Sequence, residues 1–347
     1  MTDSSSYPTA PQSSFVWLDG LPDPVLVIDR AGRVARANRR AQDLLGSGLP
    51  GRPLALVLRD PKAVEAVNAV LAGQPAQSAT LAWTTPVERV FDLHVAATAD
   101  PAAPTILVLQ DVTRIRQAER MRADFVANVS HELRSPLAAI IGIIETLSDS
   151  ARDDAEAREH FLAIMQREAD RMRRLIGDLL SLSRIEVDEH VPPRGRVDLA
   201  ALARQCTELL APRAAEQGMR LALDIAAGLA DIPGDADQLT QLVQNLIDNA
   251  IKYGESGTAI AVRLAAGPDP SQITLSVANA GEGIPPQDLP RLTERFYRVD
   301  KARSRNLGGT GLGLAIVKHI VNRHRGRLEI ASTLGQGTTV TVHLPLS

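Results

Sequence analysis

The spacing of apolar residues changes twice along this 347-residue chain. Near the start, Val25-Leu26-Val27-Ile28 is a short apolar strand that ends at Asp29 and turns at Ala31-Gly32. Val34 to Ala37 resumes as a second strand. Asn38 to Leu45 reads as a helix stopped by Gly46, and Ala63 to Leu71 as another, closed by Gly73 and Pro75. Strand-like runs at 79–84, 89–96 and 105–110 complete a predicted α+β domain. From Phe125 the period becomes helical. Val126, Val129, Leu133, Leu137, Ile140, Ile144 and Leu147 fall three or four residues apart, which predicts an amphipathic helix with a coiled-coil-like seam. Residues 149–156 break the pattern, and a second helical run carries Phe161, Ile164, Met165, Met172, Leu175, Ile176, Leu179, Leu182 and Ile185. Two such helices with a short link form a hairpin, and a lone hairpin cannot cover its own apolar stripes. Pairing with a second copy into a four-helix bundle solves this. Past a linker at Val191–Gly195, helices at 198–217, 235–253 and 312–324 alternate with strands at 220–225, 258–265, 272–278, 327–332 and 337–344. That predicts a separate α/β domain.

Composition narrows the class. Charged residues nearly balance, at 38 basic and 41 acidic, so the basic face of a nucleic-acid-coating protein is not expected. Aromatics are only 3%, so the cores must be built from Leu, Val, Ile and Ala. One cysteine, Cys206, excludes an internal disulfide framework and a Cys-rich zinc site, and favours a reducing compartment. The longest uncharged stretch, Ala66 to Val87, is too polar to span a bilayer. Residues 1–14 lack the basic start and apolar run of a secretory signal, and are polar enough to predict a disordered tail. A cytoplasmic location is the expectation.

Chemistry concentrates in a few segments. In Ser130-His131-Glu132-Leu133-Arg134-Ser135-Pro136, His131 stands two residues from the seam positions Val129 and Leu133, so it points off the apolar face. Glu132 is suited to holding one imidazole proton and leaving the other nitrogen nucleophilic. Pro136 removes a backbone donor one turn later and should bend the helix. Such an exposed imidazole is a good phosphoryl acceptor. Asn245, Asn249 and Lys252 share a helical face, where amide oxygens can complete a Mg²⁺ shell and a lysine can meet a phosphate. The glycines of Asn279-Ala280-Gly281-Glu282-Gly283-Ile284 permit backbone approach to a flat ligand. Gly308-Gly309-Thr310-Gly311-Leu312-Gly313-Leu314 runs straight into an apolar helix, giving an anion site that can also act as a lid. It is neither a P-loop nor a Rossmann fingerprint.

The order of these segments, with Arg-Phe-Tyr-Arg at 295–298 and Gly335-Gln336-Gly337-Thr338, resembles the H, N, G1, F, G2 and G3 boxes of the sensor histidine kinases over residues 112–347. Residues 124–130 and 291–305 look like the phosphate-regulon sensor kinase type. Residues 15–113, with Leu21-Pro22-Asp23-Pro24-Val25 at the front and Asp111-Val112-Thr113 at the end, look like a PAS domain. The resemblance implies a multidomain chain: a tail at 1–14, a PAS-like sensor at 15–113, and a dimerisation and phosphotransfer hairpin at 114–190. A catalytic α/β sandwich of the GHKL (Bergerat) type follows at 191–347. His131 would take the γ-phosphoryl group of ATP and pass it to the aspartate of a response regulator, with Glu132 as its base and Arg298 near the γ-phosphate. Asn249 and Asn245 would hold Mg²⁺, and Lys252 and Tyr253 would lie along the phosphates and base. Asn279, Gly281, Gly283, Ile284, Phe296 and Thr338 would complete the nucleotide site, and Gly309, Thr310, Gly311, Leu312 and Gly313 would form the lid. The implied assembly is a homodimer through 114–190. The PAS-like part has no cysteine and one histidine, His94, so no cofactor is assigned to it.

Two rivals lose on particular residues. A PAS-linked scaffold that binds ATP without transferring phosphate should have lost several of these groups. An ATPase of the gyrase, Hsp90 or MutL kind needs a glutamate base where this chain has Asn245. Two positions depart from the family pattern. Ser135 replaces the threonine or asparagine that positions water for dephosphorylating the partner, and a serine hydroxyl lacks the methyl that restricts its rotamer. Asn279 replaces an aspartate that accepts from the adenine amino group, and its amide oxygen accepts without charge assistance. Asn279→Asp is therefore expected to tighten ATP binding. Calorimetric titration checks this, and an unchanged affinity would refute it.

Overall fold

The computed structural model describes residues 17–84, 88–99, 105–148, 154–300 and 309–347. The predicted tail, residues 149–153 of the hairpin link, and 301–308 with Gly308 lie outside the described residues. Two compact units, 1–126 and 127–347, divide within one long helix.

The first unit holds a five-stranded antiparallel sheet. Its strands are β1 (Val25–Ile28), β2 (Val34–Ala37), β3 (Gln77–Trp83), β4 (Arg89–Ala97) and β5 (Thr105–Asp111), in the order β2-β1-β5-β4-β3. Helices α1 (Arg39–Leu45), α2 (Leu54–Val57) and α3 (Pro61–Leu71) lie between β2 and β3 in the chain. All four residues of β1 are buried because both faces of the strand are covered. Leu26 and Ile28 join Ala63, Val67, Phe91 and Leu107 in the main core, while Val25 and Val27 pack with Leu18 and Leu21. That explains a strand with no polar alternation. Asn38, where the sequence predicts only a helix start, is 1% exposed. Its Oδ1 accepts from Val25 and Ala41, both at 2.9 Å, and its Nδ2 donates to the carbonyls of Leu18 and Asp23. One side chain thus caps α1 and fastens it to the sheet.

Helix α4 (Thr113–Ser148) begins twelve residues before the apolar period does and continues through Pro136. Helix α5 (Ala155–Asp188) is capped by Asp154, whose carboxylate accepts from the amides of Glu156 and Ala157. Val126, Leu137, Ile141 and Ile144 on α4 and Leu162, Ile176 and Leu180 on α5 are each about half exposed, an apolar stripe that a single chain leaves uncovered.

The rest of the second unit packs helices on one face of a five-stranded sheet. Its strands are β7 (Arg220–Ile225), β9 (Ala259–Ala266), β10 (Gln272–Asn279), β11 (Arg327–Thr333) and β12 (Gly337–Pro345), in the order β11-β12-β10-β9-β7. Only the β7–β9 pair is parallel. A two-stranded ribbon, β6 (Arg196–Val197) with β8 (Ile232–Pro233), lies outside it. Strict alternation buries Ile260, Val262, Leu264, Ile273, Leu275 and Val277 toward α6 (Leu199–Glu216), α7 (Ala236–Tyr253) and α8 (Gly313–Arg323). Helix α7 is the spine, with seven buried residues from Leu239 to Ile251.

His324, 4% exposed, joins the end of α8 to the start of α7. Its Nδ1–H donates to the Ile320 carbonyl at 2.8 Å, and its Nε2 accepts the Asp235 amide at 3.1 Å. Burial pushes this imidazole below its ordinary 6.5; the Ile320 carbonyl opposes that, the neighbouring Arg323 adds to it, and Asp235 opposes it in turn. The unfolded chain therefore binds this proton more readily than the folded one. Stability is complete above the unfolded pKa and is lost as pH falls below about 6.5. His324→Leu is expected to cost about 1–3 kcal/mol at neutral pH by orphaning the Asp235 amide. It should also flatten the acid side of the wild-type profile, as measured by thermal melts between about pH 5 and 8.

Candidate functional site

His131 is exposed on α4, one residue before a half-buried carboxylate. That carboxylate, Glu132, does not turn to the imidazole. Its Oε2 accepts from Arg171 of α5 at 2.7 Å and from Arg298 at 3.1 Å. Both arginine side chains are nearly sealed from solvent, at 11% and 4%. Ser135 is also committed locally, its hydroxyl donating to the His131 carbonyl at 3.2 Å.

Arg298 faces two ways. Besides meeting Glu132, it lines a cavity of about 290 Å³ walled by α5, α7, the 279–284 loop, the 297–300 segment and the glycine loop. Its Nε is buried and makes no hydrogen bond among the described residues.

Of the residues singled out in the sequence, Asn245, Asn249, Lys252, Tyr253, Asn279, Gly283, Ile284, Arg298, Gly309, Thr310, Gly311, Gly313 and Thr338 line this cavity. Gly281, Phe296 and Leu312 do not; they shape its walls from behind. The backbone at Gly311 (φ 73°) passes so close that a Cβ would stand 2.9 Å from the Phe296 Cα. Phe296 is itself left-handed (φ 64°), and its amide donates to the Gly311 carbonyl at 2.8 Å. Leu312 is fully buried beneath the loop. Gly281 runs against the Tyr253 carbonyl, leaving no room for a side chain. The Ile284 amide donates to Ser332 Oγ at 2.9 Å, and Ser332 also meets the Thr338 hydroxyl at 2.8 Å, so the 279–284 loop is fastened to the β11–β12 hairpin.

Lys252, expected to meet a phosphate, pairs with Asp248 at 2.6 Å, and Arg213 clasps the same carboxylate. Asn279 donates its amide nitrogen to the Ala280 carbonyl at 3.0 Å and the Tyr253 carbonyl at 3.5 Å. Asn245 and Asn249 stand side by side against Gly313, where a Cβ would lie 3.7 Å from Asn245 Oδ1 and 3.8 Å from Asn249 Nδ2. Two neutral amides against a bare glycine suit a Mg²⁺ whose remaining ligands are phosphate oxygens and water. Among the described residues no cluster of three or more His, Cys, Asp or Glu side chains could hold a metal alone.

Sequence reasoning missed the wall supplied by α5. Arg174 and Asp178 both line the cavity, and Thr310 of the glycine loop donates to Asp178 Oδ2 at 2.7 Å. Burial raises the Asp178 carboxyl above its usual range; the Thr310 hydrogen bond and Lys252 oppose this, and Asp248 reinforces it. Farther along, Glu186 pairs with Arg295 at 2.6 Å, and Glu189 meets His319 and Asn322, both at 3.0 Å. No pattern within α5 sets these positions apart from an ordinary solvated helix face.

Family models agree in order with this arrangement. Residues 18–74 match a PAS domain, 121–187 the His Kinase A (phospho-acceptor) domain, and 234–347 the histidine kinase-, DNA gyrase B- and HSP90-like ATPase. The chain is 39% identical over 326 residues to the phosphate regulon sensor protein PhoR of Pseudomonas aeruginosa, covering 93% of this chain and 72% of that protein. It is 38% identical over 240 residues to the sensor protein kinase WalK of Staphylococcus aureus, covering 69% of this chain and 57% of that one. Its fold is like that of the histidine kinase ThkA solved in complex with response regulator protein TrrA, with a TM-score of 0.52 at 19% identity over 96% of this chain and 98% of that one. No described helix is long and apolar enough to cross a membrane. The chain belongs to the sensor histidine kinases of two-component systems.

Proposed function

We propose that His131 is the phosphoryl acceptor and that the cavity behind Arg298 binds ATP. The observation that carries this reading is Arg298 itself, a buried guanidinium that lines the cavity and also pairs with Glu132, the neighbour of His131. In the transfer, an imidazole nitrogen of His131 forms a bond to the γ-phosphorus. The bridging oxygen–phosphorus bond breaks and ADP leaves with the electron pair. The proton of the other imidazole nitrogen goes to Glu132, whose Oε1 can turn to it while Oε2 keeps its arginine partners. Arg298 stabilises the charge that develops on the phosphoryl oxygens. Asn245 and Asn249 would hold Mg²⁺, which supplies charge neutralisation between the phosphates. The Asn279 oxygen accepts from the adenine amino group. The phosphoryl group then passes to a receiver aspartate of a response regulator.

The working division is a PAS-like sensor at 15–113, a dimerisation hairpin at 114–190 and a catalytic domain at 191–347. The exposed stripe on α4 and α5 supports a homodimer. The need for ATP favours the cytoplasm for the catalytic part.

Incubation with Mg²⁺ and γ-labelled ATP is expected to give a label lost in acid, stable in base and absent from His131→Ala. Nucleotide binding without label would favour the scaffold reading. Because Arg298 and Glu132 of one chain touch, transfer is expected within a protomer. Mixed dimers of His131→Ala and Asn249→Ala chains should then stay unlabelled, and label on the Asn249→Ala chain would show transfer between protomers.

A further inference from the structure

Asp178 lies outside the short motifs singled out in the sequence, yet it reaches the glycine loop. The Thr310 hydroxyl donates to Asp178 Oδ2 at 2.7 Å and accepts the Leu312 amide at 3.3 Å. Leu312 precedes the first turn of α8 and has no side-chain capping bond of its own. This relay brings a negative charge toward the amino end of α8, where the helix dipole favours an anion. Asp178 thus sets a negative charge against the glycine loop, on the side where nucleotide phosphates in this cavity would bring more.

The surroundings leave that charge only partly balanced. Lys252 is already paired with Asp248, Arg213 clasps Asp248 rather than Asp178, and Arg174 lies one turn away on α5 at the cavity wall. An entering polyphosphate thus meets a second carboxylate beside its own charges.

We propose that Asp178 is a positioning residue for the lid: it holds the loop through Thr310 until nucleotide phosphates displace that hold. The inference rests on the reading that this cavity takes ATP. It ties nucleotide affinity to the placement of α5, because Asp178 moves with that helix.

Asp178→Asn separates charge from shape. The amide oxygen can still accept from Thr310, but the negative charge is gone. Binding of adenosine, ADP and a non-hydrolysable ATP analogue to the full chain, with Mg²⁺, is measured calorimetrically. Asp178→Asn is expected to leave adenosine unchanged while tightening ADP about threefold and the ATP analogue about five- to tenfold. An equal change for all three ligands, or no tightening of the phosphorylated ones, overturns the proposal. In the nucleotide-free chain, amide exchange at 309–313 should quicken in Asp178→Ala and stay slow in Asp178→Asn; equal protection in both variants also overturns it. Asn249→Ala is the control for the underlying reading. If that variant binds the ATP analogue as well as wild type does, the cavity assignment fails. If it loses binding while Asp178→Asn changes nothing, only the latch fails.

Discussion

One carboxylate oxygen, Oε2 of Glu132, organises the catalytic half of this protein. It draws two guanidinium groups from segments far apart in sequence, Arg171 on α5 and Arg298 between β10 and α8. Arginines this buried carry a large desolvation cost unless each finds an anion, so the contact constrains where the segment bearing Arg298 can lie. The same contact links the neighbourhood of His131 to the cavity wall. The surroundings of His131 and the cavity are thereby joined through a single charge cluster.

Around that cluster the ATPase-like layer is held by ordinary means. Alternating strands bury one face under α6, α7 and α8, and α7 carries both the core stripe and the asparagine face. The 3.6-residue period makes this possible, since one helix can turn apolar residues inward and Asn245 and Asn249 toward the cavity. The glycine loops lie where backbones cross too closely for a side chain, as at Gly311 against Phe296. Their role here is close approach as well as flexibility.

The contacts between α5 and the catalytic layer include a row of polar pairs: Asp178 with Thr310, Ser181 with Gln241 at 2.5 Å, Glu186 with Arg295, and Glu189 with His319. Partly exposed polar pairs of this kind are individually weak and are screened by salt. Contacts of that kind suit the proposed cycle, in which the ATPase-like layer acts on His131 and then makes way for a response regulator.

Much of the fold was legible in the sequence, because periods of two and 3.6 are local consequences of burying one face of a strand or helix. Apart from α4, which starts twelve residues early, the predicted strands and helices fall within a few residues of where the apolar spacing puts them, the short α2, β6 and β8 were not foreseen, and the order of the motif segments pointed to the family. What local pattern could not reveal was partnership. Nothing near Glu132 in the chain says that its carboxylate goes to Arg171 and Arg298 instead of His131, or that Lys252 is held by Asp248. Asp178 sits among Leu175, Ile176 and Leu179 like any polar position of an amphipathic helix, and only the packing of α5 brings it to the lid. The sequence by itself determined the elements and the chemical groups available. The tertiary structure decided which charges meet, because the pairing of buried ionic groups depends on distance in space and not on separation along the chain.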